Sequence, residues 1–158
     1  MSSSDLGKKA EKKIKEWLDR PEEGYDFNRI PDQVSGQYGS KNICDFDLYK
    51  YPYKYYIESK ATWNDRFDFS MITDYQYESL IDKSKINGCY GLIIILFASY
   101  KRAFILKIQD IDELVKSGKK SLNITKIDKW TIPYKEIPTI PSRKELLDYT
   151  GYIEDMIS

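Results

Sequence analysis

The stretch from Tyr90 to Ala98 reads Tyr-Gly-Leu-Ile-Ile-Ile-Leu-Phe-Ala and holds no charged side chain. A nearly unbroken apolar run of this length is the signature of a central strand covered on both faces. Such a strand needs a layer of structure above and below it, and the rest of the chain supplies the layers.

Leu6, Ala10, Ile14, Trp17 and Leu18 recur at helical spacing with Pro21 and Gly24 beyond them, which predicts an amphipathic helix from Asp5 to about Arg20. Residues 21 to 42 are rich in Pro, Gly, Ser and Asn and read mostly as loop, with one short strand near Phe27 to Ile30. From Ile43 to Tyr49 the pattern alternates, placing Cys44, Phe46 and Leu48 on one face and Asp45 and Asp47 on the other. Tyr51-Pro52-Tyr53 interrupts it, and Lys54 to Lys60 resumes as the second arm of a hairpin. Met71 to Ile86 reads as a helix, with Thr73 and Gln76 spaced as a capping box and Gly88 past its end. After the central strand come a turn around Ser99 to Arg102, a strand from Ala103 to Ile108 and a short helix near Ile111 to Val115. A Lys-rich polar loop, a strand around Trp130 to Tyr134 and a C-terminal helix complete the pattern. That last helix is capped by Ser142 with Glu145 and turns Leu146, Leu147 and Ile153 inward. The sum is an α/β sandwich with a mixed sheet, and 158 residues fit one domain spanning positions 1 to 158.

Composition excludes several chemistries. The chain has no histidine, so His-based catalytic triads, His-metal nuclease motifs and zinc fingers are ruled out together. Acid, base or metal chemistry must use Asp, Glu, Lys or Tyr. The two cysteines, Cys44 and Cys89, lie in apolar strand-like stretches and read as small buried hydrophobes rather than a disulfide or a zinc site. No apolar run reaches the ~20 residues of a membrane helix and the N-terminus is not signal-like, so the expectation is a cytoplasmic protein without a membrane partner. Formal net charge is zero, which leaves any nucleic-acid surface to local patches.

Glu58 and Lys60 stand two apart on a strand, so both project from one face, and Asp45 projects from the neighbouring strand. Two converging carboxylates are hard oxygen ligands of the kind Mg²⁺ accepts while it keeps waters and binds substrate phosphate. That suits phosphodiester hydrolysis, with Lys60 orienting the attacking water or neutralising charge on phosphorus. Asp47 shares the expected face of Asp45, so spacing leaves both as candidate ligands. Gln76, in the first turn of its helix, is placed either to bond the scissile phosphate region or Lys60, or simply to complete the capping box.

Asp45-Phe46-Asp47, the strand end Ile57-Glu58-Ser59-Lys60-Ala61-Thr62, Phe67 and Phe69, and helical Gln76 resemble the RecU-type Holliday junction resolvases of the PD-(D/E)xK nuclease superfamily. Lys119-Lys120-Ser121-Leu122 and Leu146-Leu147-Asp148-Tyr149 look like that family's C-terminal segments. The resemblance implies a restriction-endonuclease-like αβββαβ core. It also implies that Asp45 and Glu58 bind Mg²⁺, with Mn²⁺ able to substitute, and that Lys60 acts at the attacking water. Glu11 matches the acidic residue of the family's first helix and would reach the metal cluster through a water; its alternative role is a solvated helix charge. Asp47 and Thr62 are candidate supporting residues, of which Thr62 needs no more explanation than a strand-end threonine. The family's long stalk before the aspartate strand has no counterpart in the short segment between Ile30 and Asp45.

Lys8, Lys12 and Lys15 on one side of the first helix, with Lys119 and Lys120, are candidate DNA contacts, and Lys101, Arg102 and Arg143 extend the second patch. Tyr49, Tyr51, Tyr53 and Tyr55 are candidates for stacking on unpaired bases or for packing the sheet edge. Paired cuts across a junction call for a two-fold homodimer, and the family setting implies a bacterial or phage-encoded enzyme. The leading expectation is a metal-dependent DNA endonuclease resolving four-way junctions. Its rivals are another PD-(D/E)xK nuclease acting on duplex or branched DNA, and a catalytically silent DNA-binding module of the same fold.

Overall fold

The computed structural model describes residues 2–31, 42–142 and 146–157. In chain order its elements are α1 (Ser3–Leu18), β1 (Asp26–Arg29), β2 (Phe46–Lys50), β3 (Tyr53–Thr62), β4 (Arg66–Asp68), α2 (Asp74–Ser84), β5 (Cys89–Phe97) and β6 (Arg102–Lys107), followed by α3 (Ile108–Lys116), β7 (Ser121–Asn123), β8 (Lys135–Glu136), β9 (Thr139–Ile140), β10 (Asp148–Tyr149) and α4 (Glu154–Ile157). The main sheet runs β1-β2-β3-β5-β6-β8. Its β3–β5 pair is parallel and its other pairs are antiparallel, so the sheet is mixed as expected.

Alternation along the strands builds two cores. Phe46, Leu48, Tyr55, Ile57, Leu92, Ile94 and Leu96 pack on one face against Leu6, Ala10, Ile14, Trp17 and Leu18 of α1. Ile93, Ile95, Phe97, Phe104 and Leu106 pack on the other against Leu80 of α2 and Ile108, Ile111 and Leu114 of α3. The β5 run from Gly91 to Phe97 is buried throughout, as a central strand between helical layers must be. Helix, three antiparallel strands, helix and parallel strand give the αβββαβ order. Among the described residues no helix is long and apolar enough to cross a membrane.

Four expectations change. The strand predicted from Ile43 begins only at Phe46, and Cys44 packs in the α2-side core although Phe46 packs against α1. The Asp45 N–H donates to the Ile57 carbonyl at 3.1 Å, one residue out of step with the ladder, in which Phe46 faces Ile57. The chain bends there, as at a bulge, and period-2 parity is lost. Secondly, no strand forms over Trp130 to Tyr134. Pro133 has no N–H to donate, and Trp130 and Tyr134 instead join Phe104 in an aromatic cluster, leaving pairing to Lys135 and Glu136.

Thirdly, Asp148 and Tyr149 lie in a strand paired with Thr139 and Ile140, where the C-terminal helix was expected. Glu145 of the expected cap lies outside the described residues. Pairing wins over helical periodicity because α1 holds this segment. Buried Lys13 bonds Asp148, the Trp17 ring meets Tyr149 edge-on, and the Trp17 indole N–H donates to the Gly151 carbonyl at 3.1 Å. Leu146 and Ile153 are buried as expected, while Leu147 is only half-buried. Finally, the Lys-rich loop contains β7, which pairs with β4 and closes over Phe67.

Candidate active site

β3 carries Tyr56, Glu58 and Lys60 on the face that α2 covers, and α2 starts beside them because its N-terminus is fixed by the capping box. Thr73 Oγ1 accepts the Gln76 N–H, and Gln76 Oε1 accepts the Thr73 N–H, both at 3.2 Å. This geometry leaves the Gln76 amide pointing at β3. Its Nε2 donates to Glu58 Oε2 at 2.9 Å, and Lys60 Nζ lies 3.4 Å from its Oε1. Lys60 Nζ also stands 3.2 Å from Glu58 Oε2. Gln76 is thus both the cap of α2 and a bridge to Glu58 and Lys60.

Asp45 enters from the bend ahead of β2. Its Oδ2 accepts the Ser59 backbone N–H at 2.8 Å, so the side chain is tied to the residue between Glu58 and Lys60. Asp47 goes elsewhere, accepting from Asn28 Nδ2 at 3.1 Å and pairing with Lys54 at 3.4 Å. Asp47 stays on the Glu58 face, opposite Tyr56, and is separated from Asp45 only by its place along the strand and by these partners. Ser59 contributes through its backbone, which no side-chain motif could have shown.

Glu58 is 3 % exposed, and its Oε1 is buried without a hydrogen-bond partner among the described residues. Burial, then the neighbouring Asp45 charge, push its carboxyl up to about 8 against the partial opposition of Lys60. An orphaned carboxylate oxygen beside a second carboxylate is what a hard divalent cation would satisfy, with waters and substrate phosphate filling the remaining positions. Among the described residues no third Asp, Glu or Cys joins them in a cluster able to hold a metal. The donor set fits an ion such as Mg²⁺ that is bound through one or two carboxylates. The Cys44 thiol is held up to about 12 by burial and then by the Glu58 charge, so it takes no part as a thiolate.

The other predicted residues lie further out. Glu11 is on α1, on the opposite face of the sheet, with Arg29 at 3.8 Å. Thr62 Oγ1 accepts the Asn64 N–H at 3.0 Å and shapes the strand end. Lys8, Lys12 and Lys15 are exposed along α1, and Lys119 and Lys120 are exposed beside Phe69 and Tyr77 near the start of α2. Lys101 is exposed, whereas Arg102 is engaged by Glu136 through two bonds of 2.9 and 2.7 Å. Arg143 lies outside the described residues. Tyr55 is buried in the core, while Tyr49, Tyr51 and Tyr53 are exposed around the hairpin.

Comparison with known proteins finds a matching family model and solved structures of similar chains. Residues 28–155 match the family model of recombination protein U, which takes in the chain from the second half of β1 through β10 and leaves α1 outside. No curated protein matches the chain. Among solved structures, Hjc from Archaeoglobus fulgidus, a Holliday junction resolvase from an archaeal hyperthermophile, aligns with a TM-score of 0.46 at 15% identity, covering 65% of this chain and 78% of that one.

Proposed function

We propose that this chain, which belongs to the recombination protein U family, is a divalent-metal-dependent endonuclease that hydrolyses phosphodiesters in DNA, with the four-way junction as its substrate. The observation that carries this reading is the buried Glu58 carboxylate, with an oxygen unsatisfied, set between Asp45, Lys60 and Gln76. Asp45 and Glu58 would hold the metal, and Mg²⁺ or Mn²⁺ suits their oxygen donors. When bound, such an ion polarises the phosphate and lowers the pKa of a coordinated water.

The protein's own groups do the rest. Lys60 presents an ammonium at the carboxylate pair, where it orients the attacking water and offsets charge as the P–O bond to the leaving oxygen breaks. Gln76 fixes the rotamers of Glu58 and Lys60 together, so the two reacting groups need no rearrangement when substrate arrives. Ser59 holds Asp45 at the same point through the backbone. Resolution of a junction needs two cuts on opposed strands, which a two-fold homodimer supplies.

Cleavage of synthetic four-way junction, flap, duplex and single-stranded DNA in Mg²⁺ and Mn²⁺ tests the reading. The expected result is metal-dependent cutting with preference for the junction, lost in Asp45→Asn and Lys60→Ala. Equal rates on linear duplex would move the assignment to a general branched-or-duplex nuclease. No cleavage together with no Mg²⁺ binding by calorimetry would leave a silent DNA-binding module. Light scattering that gives a monomer would count against junction resolution.

A further inference from the structure

Gln76 and Lys83 stand two turns apart on α2 and so lie on one stripe of the helix. Both reach β3. Gln76 ends on Glu58, and the Lys83 ammonium lies over the Tyr56 ring, 5.2 Å from its centroid. The stripe therefore runs back along β3, away from the carboxylates. From the strand itself Lys54 brings a second ammonium over the same ring at 5.8 Å. Lys54, Tyr56, Glu58 and Lys60 share one strand face at two-residue steps, which set Tyr56 ~7 Å and Lys54 ~13 Å from Glu58 along the strand.

Two lysines from different elements converge on one half-buried tyrosine and outnumber the one carboxylate facing it, Asp47, which leaves a net positive charge for an anion to meet. Lys54 is half satisfied by Asp47 at 3.4 Å. Lys83 has no carboxylate partner among the described residues, and both side chains are part-exposed. A polynucleotide strand rises ~3.4 Å per nucleotide in a duplex, so phosphates about two to four nucleotides from the scissile bond fall over this ring.

We propose that Lys54, Tyr56 and Lys83 form a backbone track that grips the phosphates of the cut strand on one side of the scissile bond and sets its direction across the site. The track rests on the nuclease reading above and adds a specific strand path to it. It positions substrate and takes no part in bond breaking.

The test uses the full chain and a labelled synthetic four-way junction. Affinity is read by fluorescence anisotropy in EDTA from 50 to 200 mM salt, and cleavage in Mg²⁺ is read alongside. Lys54→Ala and Lys83→Ala should each lower the slope of log K against log salt by about 1 and raise KM several-fold with kcat kept. Lys83→Arg should restore the slope, and Lys126→Ala, at an exposed lysine outside this cluster, should leave both readouts unchanged. A purely structural cation–π cluster would instead lower thermal stability and leave the salt slope alone. An unchanged slope and KM in both alanine variants, with wild type binding and cutting normally, would overturn the track while sparing the nuclease. A wild type that neither binds nor cuts any DNA would remove both.

Discussion

Asp45 accepts the Ser59 N–H at 2.8 Å, so an aspartate ahead of one strand is fastened to the neighbouring strand between Glu58 and Lys60. An amide at this position keeps an acceptor for Ser59 but loses the charge a cation needs. Asp45→Asn should therefore fold with a melting temperature near that of wild type, lose about 100-fold or more in cleavage, and lose the stabilisation that Mg²⁺ gives wild type. Asp47→Asn, which disturbs only the Asn28 and Lys54 contacts, should keep metal-induced stabilisation. Thermal melts with and without Mg²⁺ check both. A metal response retained in Asp45→Asn and lost in Asp47→Asn would reverse the assignment.

Gln76 serves α2 and the site at once, and the two roles can be separated. Thr73→Ala removes the cap oxygen and should cost about 1 kcal/mol of stability while leaving most of the cleavage rate. Gln76→Ala removes the cap partner and the bridge to Glu58 and Lys60, so its rate should fall ~10–100-fold beyond anything the stability loss explains. Gln76→Glu would put a third carboxylate against Glu58 and should be worse than alanine in the absence of metal. Denaturant melts beside single-turnover rates decide; equal rates in Thr73→Ala and Gln76→Ala would reduce Gln76 to a cap.

Glu58 is a stability cost that the site carries for its chemistry. Its carboxyl is raised to about 8 in the folded protein from an ordinary value of 4.5, so the folded state binds the extra proton. Stability from this group is present below the unfolded value and is lost as pH rises through about 8. Glu58→Gln removes the titration and should melt above the metal-free wild type at pH 8, with the gap shrinking toward pH 5. Added Mg²⁺ should raise wild type and leave the variant still. A gap independent of pH would show that the burial cost of Glu58 lies elsewhere.

What the sequence showed of this site was whatever local spacing controls. Glu58 and Lys60 share a face because a strand has period 2, and Thr73 with Gln76 cap α2 because the box is a four-residue pattern. Asp45 was separable from Asp47 only by family resemblance, because which of the two lies beside Glu58 depends on the register against β3, where Asp47 falls opposite Tyr56 and Asp45 reaches Ser59. The same reason hid the C-terminal segment. Leu146 and Ile153 read as a helical stripe, but Lys13 and Trp17, more than a hundred residues earlier, hold that segment as strand and turn. The Lys83 and Tyr56 contact also joins distant positions, and no periodicity in either segment announces it.

Two glycines should respond to alanine with opposite signs, and their contrast tests how α2 is seated over the site. A Cβ at Gly91 would lie 2.7 Å from the Leu80 carbonyl oxygen and 2.9 Å from Ile108 Cγ2, so α2 must move off β5 to admit it. The backbone at Leu80 cannot swing aside as a flexible side chain would, and overpacking of this kind costs about 1–3 kcal/mol. The displaced helix carries both Gln76 and Lys83, so cleavage and junction affinity in EDTA should fall together with the melting temperature. At Gly7, inside α1, a new Cβ meets nothing within 4 Å. Alanine there only removes backbone freedom from the unfolded chain and should add about 0.4–1 kcal/mol with activity unchanged. A Gly91→Ala protein as stable and active as wild type would mean that α2 rests further from β5 than its contacts with Glu58 and Lys60 require.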